Sequence, residues 1–251
     1  MPTVFATFAA QRAQFISDII GFLGSSNIRL LWYPEPTDTT TSIDRSINAR
    51  TITWLQSVGY RLSPLGLGHS VNFDITAIYG TTPDADNLSF GNGTVDGPFS
   101  ILVLANAGAT GALRTFVSKA TEYRFRIEVN DTLTLTLLDN SAGASVSRDS
   151  TAAVTLGAWR VFGAVYDGRE GATATAGARL YSNGVMLSSS TTSVGTYTAM
   201  ENLTGSLVIG SDLSNHYYGD IAMVLIVATE LPPTAMYWLS RLILQHHGVN
   251  V

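Results

Sequence analysis

Catalysis by side chains needs titratable groups within reach of one another, and this sequence offers few to pair. Its glutamates are Glu35, Glu122, Glu128, Glu170, Glu201 and Glu230. Glycosidic hydrolysis takes two carboxyl groups roughly 5–9.5 Å apart, and one face of a strand carries every second residue. None of these glutamates has a second carboxylate at such a spacing. Glu122 and Glu128 bracket an alternating run, but six residues of strand set them roughly 20 Å apart. The histidines are His69, His216, His246 and His247. No Gly-x-Ser-x-Gly turn supplies a nucleophile for them, and there is no phosphate loop, dinucleotide fingerprint or His-Glu-x-x-His. His246 and His247 sit in the last turn of an expected helix, where the negative end favours cations. As metal ligands they point about 100° apart on a helix, with no third ligand visible. The expectation is a protein that is not an enzyme, with no catalytic, cofactor-binding or metal residue assigned.

Calcium is the one ion the residue types suit. Asp84, Asp86, Asn92 and Asp96 crowd a glycine-rich stretch, and oxygen-only ligands fit Ca²⁺. The same residues also favour turns through their own local hydrogen bonds. Asn87, Asn92, Asn130 and Asn202 each open an Asn-x-Ser/Thr triplet, the acceptor of N-glycosylation. A chain rich in Ser and Thr produces such triplets by chance, and they are discounted.

Composition narrows the classes further. The chain has 251 residues, a net charge of −5 and no cysteine, so disulfides, thiolate zinc and iron–sulfur clusters are excluded. Lys119 is the only lysine and the cations do not cluster, which argues against nucleic acid as a partner. No apolar run approaches the ~20 residues of a membrane span. The apolar N-terminus lacks a basic leader and is interrupted by Arg12, Gln14 and Asp18, so no signal peptide is read.

The pattern then sets the elements that must position any site. Phe5, Phe8, Phe15, Ile16, Ile19, Ile20, Phe22 and Leu23 recur at helical spacing. Gly24-Ser25-Ser26-Asn27 stops that helix, so residues 1–27 are expected to be a helical arm serving attachment or assembly. From Ile28 onward short apolar or alternating runs recur between turn residues. They include Val71–Tyr79, Phe99–Ala105, Tyr123–Val129, Leu133–Leu138 and Trp159–Tyr166. Asn130-Asp131 and Asn183-Gly184 read as hairpin turns. Pro232-Pro233-Thr234 opens a second helical stripe through Met236, Trp238, Leu239, Leu242 and Ile243, and Gly248 closes it. The expected fold is all-β: an antiparallel two-sheet sandwich with an N-terminal amphipathic helix and a short C-terminal helix. Trp159 is expected inside it, beside Phe125 and Leu180, with Tyr166 on the opposite face of the same strand.

Particular segments give this sandwich a family likeness. Trp159 opens a strand that ends in Tyr166-Asp167-Gly168. Leu180-Tyr181-Ser182-Asn183-Gly184, Leu207-Val208-Ile209-Gly210 and Gly219-Asp220-Ile221-Ala222-Met223-Val224 then follow in order. Earlier come Asp44-x-Ser46-x-Asn48-x-Arg50 and Val71-Asn72-Phe73-Asp74. This order resembles laminin-G-like, concanavalin A-like jelly-roll domains over residues 28–248. The resemblance implies a jelly roll over residues 28–251, the C-terminal helix included.

Such jelly rolls occur in tailed-phage decoration and tail proteins, which lack signal peptides and cysteines. The resemblance therefore implies a non-catalytic structural protein of a virion, assembled in the host cytoplasm. It would act through contacts with itself as a homo-oligomer and with other virion proteins. The alternative is a carbohydrate-binding, lectin-like module with glycans as partners. No cofactor and no membrane contact are expected.

Overall fold

The computed structural model describes residues 3–35, 39–62, 68–73, 78–108 and 111–249. Helix α1 (Thr3–Leu23) leads into β1 (Ile28–Trp32), β2 (Thr41–Ile43), β3 (Thr51–Trp54), β4 (Gly59–Leu62), β5 (His69–Phe73) and β6 (Gly80–Thr82). There follow β7 (Phe99–Ala107), β8 (Arg114–Lys119), β9 (Tyr123–Ile127), β10 (Leu133–Asp139), β11 (Ala144–Ser150) and β12 (Trp159–Tyr166). The chain continues through β13 (Ala178–Ser182), β14 (Val185–Met186), β15 (Ser189–Val194), β16 (Leu207–Ile209) and β17 (Gly219–Val227) to α2 (Pro233–His246). Two antiparallel sheets result. One has eight strands, ordered β14-β13-β12-β7-β17-β5-β4, with β1 also on β17; the other has nine, ordered β15-β11-β10-β9-β8-β16-β6-β3-β2. The sandwich with its two flanking helices is the fold expected from the sequence.

Side-chain period explains how each layer is filled. Tyr123, Phe125 and Ile127 on β9 are buried between the sheets, while Arg124 and Arg126 turn outward. The eight-stranded sheet is covered on both faces. Phe99, Ile101, Val103 and Ala105 of β7 enter the space between the sheets, and Leu102 and Leu104 enter a second cluster beneath the helices. Both turn readings hold. Asn183 and Gly184 have φ of 51° and 78°, as a type I′ turn requires, and Asp131, with φ 65°, turns β9 into β10.

Helix α1 lays Phe15, Ile19 and Leu23 on the outer cluster with Leu31 and Tyr33, and α2 adds Met236, Leu239 and Ile243. Phe15 meets His246 and Phe22 meets Trp238, so the two helices run antiparallel.

Trp159 corrects one expectation. It and Tyr166 do face opposite sides of β12, but Tyr166 is the one between the sheets; Trp159 is only partly buried and packs on the helix-side cluster. Phe125 and Leu180 belong to the other layer. Alternation gives the relation between two faces, and where both faces are covered it does not say which is which.

The Asp44-x-Ser46-x-Asn48-x-Arg50 motif is a clasp on β1. Asp44, fully buried, accepts from Leu31 N (2.9 Å), Ser46 N (2.9 Å) and Ser46 Oγ (2.8 Å), and pairs with Arg50 Nη1 at 3.3 Å. Asn48 Nδ2 donates to the carbonyls of Ile28 and Arg29, and Arg50 Nη1 also donates to that of Arg29. The motif ties a loop to the first strand. Asp74 of the other early motif lies outside the described residues.

Candidate binding cleft at the end of the eight-stranded sheet

The helices leave one end of the eight-stranded sheet uncovered, and polar residues collect there in register. Trp159 of β12 is opposite Asn106 of β7, Asn106 opposite Asp220 of β17, Asp220 opposite Asn72 of β5, and Asn72 opposite Gly59 of β4. Asn106, Asp220 and Asn72 all project to the helix side, because their neighbours Ala105, Ala107, Ile221, Val71 and Phe73 fill the space between the sheets. Side chains on adjacent strands at one register position stand about 5 Å apart. The row is therefore a continuous ledge of amides and a carboxylate.

Hydrogen bonds fix its orientation. Arg61 Nη2 donates to Asn72 Oδ1 at 2.9 Å, which leaves Asn72 Nδ2 to donate to Asp220 Oδ1 at 3.1 Å. Arg61 Nη1 stands 3.7 Å from Asp220 Oδ2. Tyr218 forms a wall with 43% of its surface exposed, and its carbonyl accepts from Gly108 N at 2.9 Å. Two glycines permit this closeness. A Cβ on Gly108 would lie 2.3 Å from Tyr218 Cδ1, and one on Gly219, where φ is 127°, would lie 2.2 Å from the carbonyl oxygen of Asn106. The resulting open cleft has a volume of about 250 Å³.

This arrangement can hold a small polyhydroxylated ring. Amides both donate and accept, a carboxylate accepts in pairs and a guanidinium donates as a fork, while the phenol supplies a flat apolar face. Asp220 is the one carboxylate among the described residues lining the cleft, so the lining does not hold the carboxyl pair of a glycosidase.

The residues singled out by sequence lie elsewhere. Of the proposed calcium ligands, Asp84 contacts Lys119 at 2.8 Å and Asp86 accepts from Asn202 at 3.2 Å. Asn92 closes a turn onto Thr94 and Val95, and Asp96 accepts from Tyr166, Tyr197 and Met200 N. The four side chains turn to separate partners, and no group of three or more His, Asp or Glu among the described residues is arranged around a common point. Glu122 is buried against Lys119, while Glu128 pairs with Arg126 and Glu35 with Arg12 and Arg45.

His246 and His247 sit under α1, where burial overrides the helix-end preference for cations. Burial and Arg12 bring His246 down to about 4, and burial with His246 and His69 brings His247 down to about 3. His216 bonds Ser211 at 3.0 Å and stacks on Tyr79. The loop before β17 contributes Tyr218 to the cleft. The ledge itself gave no signal, because its members come from separate strands.

A family model described as the concanavalin A-like lectin/glucanases superfamily matches residues 79–235. A comparison with curated proteins finds no match. Among solved structures, the binding domain of Paraclostridial Mosquitocidal Protein 1 superposes with a TM-score of 0.63 at 10% identity, over 86% of this chain and 52% of that one. Domain 4 of AbnA, a GH43 extracellular arabinanase from Geobacillus stearothermophilus, solved with arabinotriose, gives 0.57 at 15% identity, over 85% and 98%. The botulinum neurotoxin serotype D ligand binding domain, solved with N-acetylneuraminic acid, gives 0.61 at 12%, over 88% and 52%. The chain thus spans about half the length of either toxin domain. Identities this low speak for the fold alone. The family match covers more than half of the chain and agrees with the two-sheet architecture, so this chain belongs to the concanavalin A-like lectin/glucanases superfamily.

Proposed function

We propose that this chain is a non-catalytic carbohydrate-binding module that holds one sugar residue in the cleft of Asn72, Asn106, Asp220, Arg61 and Tyr218. The observation that carries the reading is the register row of Asn106, Asp220 and Asn72, oriented by Arg61 and walled by a half-exposed aromatic ring. Rigid strands hold these groups, so binding orders little of the protein. That the arabinanase domain was solved with arabinotriose and the serotype D domain with N-acetylneuraminic acid supports the reading by analogy of fold. The role in a virus particle drawn from the resemblance has no observation here that favours it over glycan binding.

A glycan array followed by calorimetry tests this. Binding of at least one glycan is expected, with Asn106→Ala and Tyr218→Ala each weakening it about tenfold, the worth of roughly 1.4 kcal/mol. Gly108→Ala should weaken it as well, by displacing the Tyr218 ring. An array without binders, or a binder indifferent to all three substitutions, overturns the reading.

A further inference from the structure

The only lysine of the chain is fully buried, and it is buried between two carboxyl groups. Lys119 ends β8; its Nζ lies 2.6 Å from Glu122 Oε1 and 2.8 Å from Asp84 Oδ1, and donates to the Leu203 carbonyl at 3.0 Å. The two carboxyl groups differ. Glu122 Oε1 accepts a hydrogen bond from Nζ and another from Leu203 N at 3.0 Å, so its bonds hold it in place. Asp84 Oδ1 is buried and in contact with Nζ, but without the alignment of a hydrogen bond. Tyr123 of β9 and Leu207 of β16, both in the apolar layer between the sheets, are the strand partners on either side of Lys119.

We propose that the folded chain joins Lys119 to Asp84 by an amide bond, with Glu122 carrying the proton. The step begins as a proton passes from Nζ to Asp84, whose side chain keeps 26% of its surface exposed, so that a neutral amine faces a carboxylic acid. The lone pair of Nζ then attacks Cγ of the Asp84 carboxylic acid and forms the C–N bond. Glu122 takes the proton that the nitrogen sheds and returns it to the departing hydroxyl, which leaves as water. The balance is one amine plus one carboxylic acid giving one amide and one water, with no oxidant, reductant or added reagent. Burial raises the Glu122 carboxyl above its ordinary range, which suits a group that must take up a proton and give it back. Position supplies the remaining requirement, since a fixed contact replaces a bimolecular encounter.

The product would be a covalent staple across the nine-stranded sheet. Lys119 faces Leu207 of β16, Leu207 faces Thr82 of β6 on the other side, and Asp84 follows two residues later. The new bond would bridge β8 to the segment after β6, over the intervening strand.

Intact mass of the native chain, measured under denaturing conditions, decides the matter. A mass below the sequence value by one water, about 18 Da, is expected. Proteolysis should leave Lys119 uncut by trypsin, in a fragment linked to the one that carries Asp84. Glu122→Gln and Asp84→Ala, confirmed as folded by their β-type circular dichroism, should each run at full sequence mass. The wild-type measurement stands even where a variant does not fold. A wild-type chain at full mass overturns the proposal, and so does a water loss mapped to any other pair, Lys119 with Glu122 included.

Discussion

The ring of Phe15 lies flat on the imidazole of His246, with centroids 3.9 Å apart and planes 1° from parallel. Beneath this stack His247 is fully buried, and neither of its ring nitrogens has a hydrogen-bond partner among the described residues. Tyr33 Oη stands 3.1 Å from His246 Nε2. Arg12 on α1, itself paired with Glu35, which also meets Arg45, opposes further positive charge. The helix α1 thus rests on imidazoles that the fold keeps neutral.

Acid should therefore loosen the protein from this point. Both imidazoles titrate lower in the fold than in the unfolded chain, near 6.5 there, so their stabilising effect is complete above that pH. It is lost as pH falls from about 6.5, and the loss levels off near the folded values of about 4 and about 3. A fully buried group such as His247 contributes up to about 1.4 kcal/mol per pH unit in that window. Urea denaturation at pH 7 and pH 4.5 should show a clear fall that His247→Asn reduces. Equal stability at the two pH values would contradict the account.

Trp159 and Phe162 separate the two faces of β12. Phe162, buried between the sheets, should cost about 3–5 kcal/mol when cut to alanine. Trp159→Ala, at the partly covered end, should cost about half that. Equilibrium denaturation of both variants checks the order, and a larger loss at Trp159 would return it to the inner core.

Asp44 holds the clasp on β1. Asp44→Ala leaves the Leu31 amide without its acceptor and the Arg50 guanidinium, with 12% of its side chain exposed, without its counter-charge. Removing one member of a buried pair costs about 3–5 kcal/mol. A midpoint in urea unchanged from wild type would show the clasp to be idle.

How much of this was legible from sequence depends on what each residue faces. Strands with one apolar face, such as Tyr123–Ile127, announce themselves by alternation, and Asn183-Gly184 announces its turn by its φ requirement. Ser189–Val194 and Thr51–Trp54 passed unnoticed because their Ser and Thr residues match loop composition as well as they match an edge strand. Asp44-x-Ser46-x-Asn48-x-Arg50 was visible as a motif, but its role as a clasp depends on strand residues 13 to 21 positions earlier. The cleft was invisible for a stronger reason. Asn72, Asn106 and Asp220 become neighbours only through strand order and register, and neither is written in any local window.

The antiparallel pairing of α1 and α2 fixes how the molecule meets a mechanical load. Helix α1 feeds β1 at Ile28, α2 is fed by β17 at Val227, and these two residues are partners at one end of the β1–β17 ladder. A pull between the helices first peels their side-chain packing and then arrives at that pair from both sides. The ladder then opens one rung at a time instead of sliding as a block, so each bond meets the whole force alone. Tension through its two helices would unzip this sandwich at low force, however stable it is to heat.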